Sequence, residues 1–231
     1  MNVLAPPQRR AAASSPWRLL VALTPRLGHP WPVVGSLGAA VLLVAVRWDG
    51  LGSLVARLNV VRTCCVLLVL GVVFLFDDVS RGSTAASVVT LRRRTGARLV
   101  VAATLVAVGF AAASAVVAMQ GTLGPVLLGL ALEVAGYASL GALLTLGVQR
   151  RADVDEPGTA GGLLLLAFLA GQLVLTPRWP MLVGPGPQWP AAHIRWAALL
   201  LVTLGGLAWV TRDPARRTAR AWVAGAGRPV S

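Results

Sequence analysis

The chain has 231 residues, 56% of them hydrophobic and 13% charged, with a mean hydropathy of +0.75; soluble domains carry about a quarter charged residues, so water is excluded as the solvent for most of this chain. The formal net charge is +13, yet every basic residue is arginine and most arginines lie just outside apolar stretches, a pattern of membrane orientation rather than of a nucleic-acid face. Lysine is absent, which removes a P-loop lysine, a Schiff-base lysine and a lysine general base together.

In chain order, residues 1–15 (MNVLAPPQRRAAASS) are small or polar and are expected to be disordered. Four arginines, several prolines and the lack of a clean apolar core argue against a cleaved signal peptide. Ser15, Pro16 and Trp17 form a helix start, with serine as cap and proline in the first turn. Residues 16–31 then read either as an interfacial helix around Trp17 to Leu23, or as an irregular arm ended by Pro25.

Six apolar stretches follow, at about 32–46, 60–76, 99–119, 123–148, 161–175 and 194–210. A helix needs about 20 mainly apolar residues to cross hydrocarbon roughly 30 Å thick. The third and fourth stretches reach this length easily, the first and fifth only with tilt or interfacial flanks. The expected fold is therefore all-α, a polytopic membrane protein with a six-helix transmembrane domain over residues 32–210. Adjacent Cys64 and Cys65 inside the second stretch suit small core fillers better than a disulfide framework or a metal site.

The connection after the second stretch reads FDDVSRGSTAASVVTLRRRTGAR. Asp77 and Asp78 stand at the end of the span, able to pair with Arg81 and the arginine run or to cap a helix. Gly82 breaks the chain, and Ser83 or Thr84 can cap a short helix running through Ala85 to Val89 into Arg92, Arg93 and Arg94. Positive charge at the C-terminal end of such a helix suits its dipole; the plainer reading is an arginine run that serves topology alone. Gln120 to Thr122 forms a tight uncharged turn, and residues 149–161 form a turn with both signs of charge. Residues 176–195 (TPRWPMLVGPGPQWPAAHIR) hold five prolines and two tryptophans, which suits backbone lodged at headgroup level. They are read as a pair of short re-entrant elements broken at Gly184 to Pro187, or as an ordered loop. Residues 211–231 form a basic tail with Trp222, either bound to anionic lipid or merely orienting.

Arginine counts orient the spans. The N-terminal segment, the second-to-third connection, the fourth-to-fifth connection and the C-terminal tail carry four, five, two and five, or 16 in all, against 5 on the other side: Arg47, Arg57, Arg62, Arg178 and Arg195. Both termini are expected in the cytoplasm, which an even number of spans permits.

Glu133 is the acid that lies well inside a predicted span. Counted from Leu123 at 1.5 Å per residue it sits about 15 Å deep, near the midplane. An intramembrane carboxylate marks a functional site by default. Tyr137 lies one turn on, and Gly129, Gly136 and Gly141 share the same general face. Glu133 and Tyr137 are candidates for a translocation path or proton relay; the structural alternative is a protonated Glu133 bonded across a helix or subunit interface. Small residues recur every fourth position at Ala103, Ala107, Ala111 and Ala115, and again at Ala131, Ala135 and Ser139, a spacing that permits close helix approach. His29 and His193 fall on opposite sides, and no nucleophile motif or acidic metal cluster is present, so an enzyme is not expected.

This layout resembles the six-span permease subunits of ABC-2-type exporters, especially small actinobacterial members. The residue-level likeness lies in Phe74 to Arg98, where FLFDD, a small-residue stretch and RRRTGAR match an acidic pair, short coupling helix and arginine cluster. The resemblance implies a bacterial plasma-membrane half-transporter that pairs with a second permease subunit, homo- or heteromeric. ATP would be used only through a separate ABC ATPase subunit, docked near Asp77, Asp78, Arg81, Ser83, Thr84, Arg92, Arg93 and Arg94. No cofactor or metal of its own is implied, and no nucleic acid; membrane lipids are its other partners. Two rivals share the spans: a non-transporting scaffold or accessory subunit, and an ion- or proton-coupled carrier.

Overall fold

A computed structural model describes residues 30–77, 91–151, 156–175 and 179–212. Six helices long and apolar enough to cross a membrane account for most of them: α1 (Pro30–Arg47), α2 (Leu54–Val72), α3 (Leu91–Ala118), α4 (Leu127–Arg151), α5 (Pro157–Leu175) and α6 (Trp189–Val210). No strand occurs among the described residues. The chain is thus an all-helical, multi-pass membrane protein.

The helices extend beyond the hydropathy boundaries for local reasons. Ser53 caps α2 by accepting a hydrogen bond from Ala56 N at 3.1 Å, so the helix starts six residues ahead of the apolar stretch and takes in Arg57 as well as Arg62. At its far end α2 tightens into a 3₁₀ turn, Val73–Phe76. A proline in its first turn, fixed near helical φ, starts α6 at Trp189. In α4 the reverse happens: a 3₁₀ turn over Gly124–Val126 delays the start to Leu127. Arg92, Arg93 and Arg94 lie in α3, continuous with the apolar helix that follows; residues 78–90, where the short coupling helix is expected, lie outside the described residues.

Two helices form the centre. The spans built on α2 and α4 are 67% and 50% buried, against 6% for α1, 22% for α3, 33% for α5 and 22% for α6. α1 and α3 pack on α2, α5 and α6 pack on α4, and α2 meets α4 between them. The core runs along that contact, through Leu58, Val61, Cys65 and Val69 of α2 and Leu130, Val134 and Tyr137 of α4. Cys64 and Cys65 are free thiols filling this core at 1% and 0% exposure. Ala103, Ala107, Ala111 and Ala115 of α3 all face away from the bundle, whereas Ser139 of α4 is buried against α6, its hydroxyl 2.7 Å from that of Thr203.

Connections gather at two ends. At one, Arg57 donates to the Leu51 and Gln120 carbonyls, at 3.1 and 3.0 Å, tying the α1–α2 and α3–α4 turns together. This Trp/Pro-rich end also holds residues 179–188, which contain no short re-entrant helices; they run as bends and one turn into α6. At the opposite, arginine-rich end, Arg150 donates to the Arg212 carbonyl, joining the last turns of α4 and α6.

Candidate functional site

The site grows from two charged side chains in the central helices. Arg62 stands eight residues into α2 and Glu133 six residues into α4, about 12 and 9 Å along their helices from the Trp/Pro-rich end. Arg62 Nε donates to Glu133 Oε2 at 2.6 Å and Nη2 to Oε1 at 2.5 Å, a bidentate pair. Glu133 is 0% exposed and Arg62 8%. The carboxylate is therefore an ion-paired group at a helix–helix contact, not a lone acid.

Two more elements close around the pair. Arg62 Nη2 also donates to the Val183 carbonyl at 2.8 Å, so segment 179–188 is held by the same guanidinium. His193, in the first turns of α6, lies with Nε2 3.3 Å from Glu133 Oε1. Its other nitrogen, Nδ1, is 2.7 Å from the Trp189 carbonyl. The Trp189 ring packs on the imidazole with centroids 4.1 Å apart and lies 5.7 Å from the Arg62 guanidinium carbon, within reach of a cation–π contact.

Glycine makes this approach possible. A Cβ on Gly129 would stand 2.5 Å from His193 Nε2, and one on Gly136 2.7 Å from the Trp196 ring, so both positions need a bare backbone against α6. Gly141, grouped with them by sequence, instead faces Val69 and Val73 of α2 and Leu165 of α5.

Tyr137 is 0% exposed and packs edge-on against Trp196, centroids 4.9 Å apart. Its hydroxyl is buried beside Glu133 without an aligned hydrogen bond. Trp196 donates from Nε1 to the Met181 carbonyl at 2.8 Å, and Arg195 from Nη1 to the Pro180 carbonyl at 2.6 Å while lying 4.5 Å over the Trp179 ring. Three carbonyls of the irregular segment, at Pro180, Met181 and Val183, are thus satisfied by side chains of α6 and α2. In place of strand or helix partners, these donors meet the requirement that buried backbone be hydrogen-bonded.

The residues expected to couple to an ATPase fall at the other end. Asp77 is 2% exposed, and its Oδ1 accepts from Gly158 N at 2.6 Å. It thereby caps α5 and neutralises the positive end of that helix. Arg98 donates to the neighbouring Phe76 carbonyl at 3.2 Å. Arg93 is exposed and Arg94 half-buried; Arg92 lies in the first turn of α3. Asp78, Arg81, Ser83 and Thr84 lie outside the described residues, as do the interfacial segment to residue 29 and the tail from residue 213.

Sequence reasoning singled out Glu133 and Tyr137 but counted Arg62 on the outer side with the loop arginines and set His193 aside. The signal for Arg62 was its place inside the second apolar stretch, in a helix begun by a serine cap; a guanidinium that deep requires an anion, and Glu133 is the acid that a span supplies. No protein-family model, no curated protein and no solved structure matches the chain.

Proposed function

We propose that this chain is the membrane-spanning permease subunit of an ABC-type export system in a bacterial plasma membrane. Its fold is then ABC-2-like, with both termini and the arginine-rich end in the cytoplasm. It lacks the lysine of a P-loop motor, so a separate ABC ATPase supplies hydrolysis and a second permease subunit completes the path. Arg92, Arg93 and Arg94, with Asp78, Arg81, Ser83 and Thr84, form the docking region, and Asp77 anchors that region to α5 from beneath.

The observation that carries the reading is the Arg62–Glu133 pair with its bond to the Val183 carbonyl. An inert scaffold gains little from burying such a pair, because well-packed apolar residues of similar volume are commonly as stable or more so. A subunit that alternates between two arrangements of its spans has a use for it: directional bonds between α2, α4 and the α5–α6 segment are made or broken as discrete events. On this reading Glu133 and Tyr137 border the translocation path at its outward end.

Tagged protein extracted from native membranes in mild detergent is expected to copurify with an ATPase, and the triple change Arg92→Ala, Arg93→Ala, Arg94→Ala to abolish that association while leaving the protein folded. Purification of the intact chain without any ATPase overturns the proposal.

A further inference from the structure

His193 is fixed at one ring nitrogen and unsatisfied at the other. A backbone carbonyl only accepts hydrogen bonds, so the 2.7 Å contact with the Trp189 carbonyl places a hydrogen on Nδ1. Nε2 is buried and faces Glu133 Oε1 at 3.3 Å with no aligned hydrogen bond. In the neutral ring that nitrogen directs a lone pair at a carboxylate oxygen, which repels. In the imidazolium it is a donor, and a charge-assisted bond of this kind closes to about 2.7–2.9 Å. Bare backbone at Gly129, where a Cβ would stand 2.5 Å from Nε2, leaves the ring free to make that short approach.

The other ionisable groups around the contact do not replace this proton. Glu133 faces His193 from α4, and Arg62 from α2 already spends Nε and Nη2 on both carboxylate oxygens and on Val183. Tyr137 of α4 and Cys65 of α2 also neighbour the carboxylate; their neutral forms add no positive charge. The His193 side chain keeps 12% of its surface exposed.

We propose that His193 is a proton-operated latch between α6 and the Arg62–Glu133 pair, its ligand a single proton at Nε2. Protonated, His193 bonds Glu133 and joins α2, α4 and α6 through one carboxylate, with segment 179–188 held to it by Arg62. Neutral, it drops α6 from that junction while Arg62 still holds α2 to α4. Because Trp189 both begins α6 and packs on the imidazole, the start of α6 and residues 184–188 leading into it loosen together, while the bonds to the Pro180, Met181 and Val183 carbonyls remain. The inference rests on the geometry of the site alone; the presence or absence of an ATPase partner does not bear on it.

The test uses the full chain in lipid nanodiscs. The chain has two histidines, so histidine-selective ¹⁵N labelling resolves His193, with His29→Gln assigning the other. As the pH falls, the His193 ring is expected to pass from neutral with its hydrogen on Nδ1 to the imidazolium. A nitroxide on Gly186→Cys, where an added Cβ meets open space, is expected to lose mobility in step. His193→Gln is expected to abolish the mobility change. A mobility change retained in His193→Gln overturns the latch. Should that variant fail to fold, the wild-type spectra decide: a ring whose protonation stays constant over the pH range of the folded protein, or a neutral ring with its hydrogen on Nε2, overturns it equally.

Discussion

Among the described residues, the two ends of the bundle each bury one carboxylate and use it in different ways. At the arginine-rich end Asp77 meets backbone: its oxygen takes the Gly158 N–H and finishes α5. The dipole of that helix terminus favours the negative charge. At the Trp/Pro-rich end Glu133 meets side chains: two bonds from Arg62 and a nearby His193. Those partners are long, separately mobile and, for His193, able to change charge. A capped helix end is a static joint, whereas a carboxylate shared among three helices is a junction whose occupancy can vary. The difference between the ends is one of replaceable partners, not of burial, since both acids are almost fully enclosed.

The sharpest way to break the comparison is at the ion pair. Arg62→Ala or Glu133→Ala alone leaves an unpaired buried charge and is expected to cost about 3–5 kcal/mol, read as a large drop in the unfolding midpoint in detergent. The double change Arg62→Met with Glu133→Leu is expected to recover most of that loss, because it removes both charges and keeps volume. If the double variant is as unstable as either single one, the pair is structural in the way Asp77 is, and the contrast between the ends fails. A smaller effect follows from crowding α4 against α6: Gly136→Val puts atoms into the Trp196 ring, which a Cβ alone would approach to 2.7 Å. It is expected to cost about 1–3 kcal/mol, with a changed near-ultraviolet circular dichroism as Trp196 shifts. Smallest is the cap. Asp77→Ala is expected to lower stability by about 1 kcal/mol, and Asp77→Asn, which retains an acceptor oxygen, by less; equal losses would show that charge rather than the hydrogen bond is what α5 requires.

The six spans were legible because a bilayer demands long apolar runs, and every stretch chosen by hydropathy contains or overlaps a helix. Helix ends were less so. Averaged hydropathy drops at Arg57 and Asn59, yet a helix capped at Ser53 passes through both, since its backbone bonds do not depend on side-chain polarity. Arg62 fell inside the second apolar stretch, yet the arginine count assigned it to the outer side with the loop arginines. Residues 176–195 were read either as short re-entrant elements or as an ordered loop, and residues 179–188 take the second form; nothing in the local sequence tells that Arg195, Trp196 and Arg62 will satisfy its carbonyls. The arginine run at residues 92–94 is helical and continuous with the apolar helix that follows; the short helix expected before it falls in residues 78–90, outside the described residues.

What the sequence determined by itself is the solvent, the number of crossings and the presence of one acid where acids are costly. These follow from composition and from the fixed rise of a helix, quantities that need no knowledge of neighbours. What the tertiary structure decided is the partner of that acid. Arg62 and Glu133 are 71 residues apart, and Glu133 and His193 are brought together from different helices. Such meetings depend on which faces of α2, α4 and α6 pack inward and on the bare backbone at Gly129 that lets the last of them come close. A charge in a span announces that a partner is needed; only packing says which side chain arrives, at what distance, and whether a proton stands between.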